Sequence, residues 1–204
     1  MKYLWDHQLS NREIHFIGTI FVQWGALEHE VFIQTLMTFE PQEGESDVPA
    51  LPKEMNNLQF SGVLDLWNER VAKTSSGRRG KVLQVQYGEI LKLKEVRDAL
   101  THGMWHWSAE NLGEIRTVRV KKRAVITSRF SASVLGDVAT KLGEINFKLR
   151  FPGGLGDVAR QQMKDGGYMS RRAVAMFSGA PIDADGFPTA HPCNGEFRTG
   201  EADG

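Results

Sequence analysis

Apolar residues recur at three- and four-residue intervals through four stretches of the chain, and each stretch predicts a helix with one buried face. In the first, Ile14, Ile17, Phe21, Trp24, Leu27, Val31 and Leu36 trace the stripe. Ser10 or Asn11 supplies the N-cap, and Glu13 sits in the first turn, where a carboxylate suits the helix dipole. From Phe39 to Lys53 the chain carries Pro41, Gly44, Pro49 and Pro52 among acidic residues, which predicts a loop. A second helix is predicted from Glu54 to Lys73 on Met55, Leu58, Val63, Leu64, Trp67 and Val71, with Gly62 its weak point. Ser75 to Lys81 then breaks the period with two glycines and three basic residues; it reads as a solvated connector or, alternatively, as a phosphate contact.

The third helix runs through Tyr87, Ile90, Leu91, Leu93, Val96, Arg97 and Leu100, and Gly103 is its expected stop in the left-handed conformation. Trp105 and Trp107 alternate with His106, the mark of an extended segment whose indoles share a face, for core burial or for base stacking. Residues 115 to 127 are rich in β-branched residues, and there Val118 and Val120 oppose Arg119, Lys121 and Arg123. A cationic ribbon results, paired as a hairpin with the strand at 104–107. It either holds an RNA backbone or is an edge charged against aggregation. The fourth helix, capped by Ser131 or Ser133, buries Val134, Leu135, Val138, Leu142, Ile145 and Leu149. From Pro152 the sequence is rich in Gly and Pro and predicts a flexible tail, with a short helix near Ser170 to Phe177. Gly153, Gly154 and Gly156 lack the preceding strand and following Lys-Ser/Thr of a nucleotide loop.

The predicted organisation is therefore mainly α. A bundle of four or so helices with an appended β-hairpin spans 1–151, and a Gly/Pro-rich tail spans 152–204. Composition narrows the function little. The 25 basic and 25 acidic residues balance to a formal charge of +0, so any nucleic-acid contact must be a local patch. A single cysteine, Cys193, excludes an intramolecular disulfide framework and suits a reducing, cytoplasmic setting. Polar Asp6, His7 and Gln8 stand where a secretory signal would be apolar, and the longest apolar run, Phe16 to Leu27, is too short and too interrupted to span a membrane.

Candidate chemistry concentrates in Arg97-Asp98-Ala99-Leu100-Thr101-His102-Gly103. Here an arginine is followed by a small polar residue and, after three more positions, by a histidine in the last helical turn. This string, with Trp24-Gly25-Ala26-Leu27-Glu28-His29 and Leu100-Thr101-His102-Gly103-Met104-Trp105, resembles the HEPN domain family over about residues 14 to 150. The resemblance implies a HEPN-like helical bundle and a metal-independent endoribonuclease, often dimeric, of a defence, toxin or stress system with a neutralising partner protein. Cleavage by attack of a ribose 2′-hydroxyl needs no cofactor and no metal. Arg97 would hold phosphate oxygens and His102 would exchange protons near neutral pH, with Asp98 orienting His102 or the partner's Arg97. Glu28 would fix Arg97, and Trp105 would support the helix end. The structural alternative pairs Arg97 with Glu28 or Asp98 and lets His102 cap its own helix.

An ideal helix turns about 500° over five residues, so Arg97 and His102 point about 140° apart and about 7.5 Å along the axis. Their joint action needs an unwound terminal turn or a homodimer. Without catalysis, the same dimer would bind RNA, a nucleotide or a partner protein. A metal site of His102, His106 and Glu110 is disfavoured, because Gly103 interrupts the continuous helix it requires.

Overall fold

The computed structural model describes residues 9–39, 51–108 and 111–167. Five α-helices and three strands follow in the order α1 (Asn11–Leu36), α2 (Phe60–Trp67), α3 (Gly77–His102), β1 (Met104–Ser108), β2 (Asn111–Lys121), β3 (Ala124–Ser131), α4 (Ala132–Arg150) and α5 (Leu155–Lys164). The protein is thus mainly helical with a small three-stranded sheet. No described helix is long and apolar enough to cross a membrane.

Two helix starts follow directly from local chemistry. Ser10 and Glu13 form a reciprocal capping box, in which the Ser10 hydroxyl accepts from the Glu13 amide at 3.2 Å and the Glu13 carboxylate accepts from the Ser10 amide at 2.7 Å. At α4, the Ser131 hydroxyl accepts from the Val134 amide at 3.3 Å. From these starts α1 packs chiefly against α4 and α2, while α3 packs against α4 and β2.

The core takes Ile20, Leu27 and Val31 from α1, Leu64 and Trp67 from α2, Leu83 and Ile90 from α3, and Leu135, Leu142, Ile145 and Leu149 from α4. Each such aliphatic side chain contributes about 1.5–3 kcal/mol on burial. Gln34 ties three helices: it accepts from the Trp67 indole at 3.0 Å and donates to the Leu149 carbonyl at 3.0 Å. Of the expected α1 stripe, Trp24, Leu27 and Val31 are buried, whereas Ile14 and Phe21 are 52% and 39% exposed. Ile20 completes the buried line in their place.

The second helix is shorter than predicted. Lys53–Met55 is a 3₁₀ turn, and Asn57 at φ 59° breaks the chain before α2 begins. After α2 comes a π-helical turn, Asn68–Ala72, where the Lys73 amide reaches back five residues to the Asn68 carbonyl. Gly77 to Lys81, read from sequence as a connector, is the first turn of α3.

The stretch 115–127 is not one ribbon. It folds as β2 and β3 around the turn residues Lys122 and Arg123, both at positive φ (50° and 67°), in a sheet of order β1-β2-β3 that is antiparallel throughout. Arg123 therefore sits at the hairpin tip and shares no strand face with Arg119 and Lys121. Gly103 also departs from expectation: its φ of −77° is an ordinary extended value. Glycine is needed there for space, because a Cβ would lie 2.3 Å from the Ala99 carbonyl oxygen and 2.5 Å from Thr117 Cβ. The end of α3 presses directly onto β2.

Up to Pro152 the chain forms one compact unit, and a second begins at Gly153. In the latter, residues read from sequence as an irregular tail form α5 (Leu155–Lys164). The short helix expected near 170–177 lies outside the described residues.

Candidate functional site

The C-terminal half of α3 runs between α1 and β2, so its polar side chains meet partners on both sides. Arg97 faces α1. Its Nη1 donates to Asp98 Oδ1 at 3.2 Å, and its Nη2 lies 3.7 Å from Glu28 Oε1. The guanidinium carbon is 5.9 Å from the centre of the Trp24 ring, whose indole N–H donates to the same Glu28 oxygen at 2.7 Å. Trp24 thereby holds the carboxylate that holds Arg97. The arginine remains 29% exposed, so it borders solvent.

Asp98 is the centre of the cluster. Its Oδ2 accepts from Lys94 Nζ at 3.1 Å and lies 3.9 Å from Arg119 Nη1 on β2. Burial pushes the Asp98 carboxyl up, yet the hydrogen bonds and charges of Lys94 and Arg97 outweigh it and hold the group below the ordinary aspartate value. Asp98, expected to orient His102 or the partner's Arg97, bonds through Oδ1 to Arg97 and through Oδ2 to Lys94 of its own helix.

On the far side of α3, Glu95 accepts from Arg119 and, at 2.8 Å, from Lys121. Lys121, aided by Arg119, lowers the Glu95 carboxyl below its usual range against the opposing effect of burial. Arg119 is 12% exposed, and its Nε finds no partner among the described residues. So the cations expected to form an open RNA-binding face are divided. Arg119 is largely buried in ion pairs, Lys121 is half-exposed and paired, and Arg123 stands at the tip.

His102 is the last residue of α3 and is exposed. The terminal carbonyls are taken by other groups: the Gly103 amide bonds to Ala99 at 3.1 Å, and the Trp105 indole donates to Leu100 at 3.2 Å. Trp105 supports the helix end as expected, though it remains 40% exposed. The structure thus joins Glu28, Arg97 and Asp98, with Trp24, and leaves His102 outside that cluster.

Two participants were not singled out from sequence. Lys94 stands four residues before Asp98, a spacing that alone signals a pair on one helix face. Glu95 meets Arg119 and Lys121 across 24 and 26 residues, a separation that leaves no local signal. Among the described residues, no group of three or more His, Cys, Asp or Glu side chains is placed to hold a metal ion.

No protein-family model matches the chain, and neither the curated proteins nor the solved structures contain a significant match.

Proposed function

We propose that the protein is a HEPN-like, homodimeric, metal-independent endoribonuclease in which Arg97 of one protomer and His102 of the other act on one phosphate. The observation that carries this reading is their placement on a single helix end. Both reach solvent, yet Arg97 is drawn toward α1 while His102 stands free at the terminus, so a second copy is what can bring them together. Arg97 uses part of its five-donor fork on Glu28 and Asp98 and keeps other N–H groups for phosphate oxygens.

In the reaction, the neutral imidazole takes the proton of a ribose 2′-hydroxyl as the oxygen–phosphorus bond forms. Arg97 stabilises the charge gathering on the phosphoryl oxygens. The bond to the 5′-oxygen breaks, that oxygen receives a proton, and a cyclic phosphate end remains. An enzyme of this type in a defence, toxin or stress system calls for a neutralising partner protein.

A second reading, a non-catalytic dimeric module that binds RNA, a nucleotide or a partner protein, is favoured by the two carboxylates already beside Arg97. One experiment separates the two. Mixed RNA is incubated with the protein in EDTA beside the Arg97→Ala and His102→Ala variants. The nuclease reading expects cutting by the parent and its loss in both variants, and mixing the two variants should restore part of it through hybrid dimers. Absence of cutting by the parent, or equal cutting by all three, overturns it.

A further inference from the structure

At the opposite end of α3 from His102, the C-terminal end of α1, the π-helical turn and the first turn of α3 border an open pocket of about 300 Å³. Among its lining residues are Thr38, Arg70, Thr74, Ser75 and Arg79, and none of the described lining residues is a carboxylate. We propose that this pocket binds a phosphoryl anion, gripped by Arg70 and Arg79.

Arg70 is held in place before any ligand arrives. Its Nε donates to Thr38 Oγ1 at 2.8 Å, its Nη2 donates to the Thr38 carbonyl at 3.0 Å, and its guanidinium carbon lies 3.9 Å from the centre of the Phe39 ring. These bonds use two of the five guanidinium N–H groups and leave both on Nη1 and the second on Nη2 as spare donors. Arg79 is exposed and forms no ion pair with a described residue, so among the described residues it is a second guanidinium on offer at the pocket. The hydroxyls are spent: Thr38 donates to the Thr35 carbonyl at 2.7 Å, Ser75 to Val71 at 2.7 Å and Thr74 to Arg70 at 2.6 Å. What remains on offer is positive charge and N–H donors, which select an anion over a neutral polar group.

The surrounding backbone agrees. The first turn of α3 holds Arg78 and Arg79 with no acidic residue, the reverse of what the helix dipole favours. A local rule broken in this way marks a place where something other than helix stability set the sequence, and a bound anion relieves the repulsion. The adjoining π turn is a geometry found often at functional sites. The volume is at the lower end of ligand pockets, which fits a phosphate or the phosphate end of a small nucleotide.

The test is calorimetric titration of the full chain with inorganic phosphate, pyrophosphate and AMP, at constant ionic strength set with chloride. At least one should bind saturably, and Arg79→Gln should weaken it about tenfold or more, as expected for loss of a charge-assisted pair. Lys81→Gln, outside the pocket lining, should stay within about twofold, separating site binding from general charge. The tightest of the three names the source of the phosphoryl group. No saturable binding up to about 10 mM, or equal binding by parent and Arg79→Gln, overturns the proposal. Neither result bears on RNA cleavage, which is read at the other end of the helix.

Discussion

Replacing Asp98 with asparagine keeps the side chain's shape and removes the one carboxylate on which Lys94, Arg97 and Arg119 converge, at 3.1, 3.2 and 3.9 Å. Asp98 is 16% exposed, and its three partners range from 12% to 29%, so the cluster lies between a surface pair and a buried one. Exposed pairs contribute about 0.2–1 kcal/mol, while breaking a buried pair costs about 3–5. An intermediate loss of about 1.5–3 kcal/mol is expected, because three cations are left facing one another. For a chain of this size that lowers Tm by about 4–10 °C.

The loss should also depend on pH. A carboxyl whose folded pKa is held below its unfolded value contributes stability in full above the unfolded pKa and loses it as pH falls through the folded one. The parent and Asp98→Asn should therefore differ most near about pH 7 and draw together progressively as pH falls below about 4. Thermal unfolding followed by circular dichroism across that range measures both. An equal gap at both ends would refute the electrostatic account. Unchanged Tm at neutral pH with altered His102 imidazole resonances would favour the orienting role of Asp98 over the electrostatic one.

Two further outcomes test the neighbouring contacts. Gly103→Ala should lower the urea midpoint by about 0.5–1 M, since the added methyl meets Ala99 and Thr117 at 2.3 and 2.5 Å in a site where Thr117 is buried; an unchanged midpoint would mean the α3–β2 contact is loose. Glu95→Gln removes a half-exposed partner of Arg119 and Lys121, so stability should move by less than about 1 kcal/mol. If β2 meets an RNA backbone, that same variant should bind a labelled oligonucleotide more tightly, with a salt slope steeper by about 1–2 ions in fluorescence anisotropy. An unchanged slope would remove β2 from the RNA-binding surface.

What the sequence determined by itself was whatever depends on neighbours along the chain. Ser10 with Glu13, and Ser131, mark helix starts because a cap is a contact over three residues. The four apolar stretches predict helices because periodicity is likewise local. The Arg97–Glu28 contact could be anticipated as an ion pair, and Trp24, four residues before Glu28 on the same helix, stands at a spacing that permits its bond to that carboxylate. Other features were decided in three dimensions. Ile14 and Phe21 fit the helical spacing as well as Leu27 does, and contact with α2 and α4 decided that Ile20, Trp24, Leu27 and Val31 carry the burial.

Positive charge along 115–127 reads as an open ribbon until a hairpin turn at Lys122-Arg123 divides it and Glu95, more than twenty residues earlier, claims Arg119 and Lys121. Gly103 reads as a helix stop until Thr117 arrives within reach of its missing side chain. The basic stretch Ser75 to Lys81 suggested a phosphate contact, but Arg70 joins Arg79 at one pocket only because its walls come from α1, the π turn and α3. Helices are written in short-range spacing, whereas charge compensation and close approach depend on which distant residue the fold brings alongside.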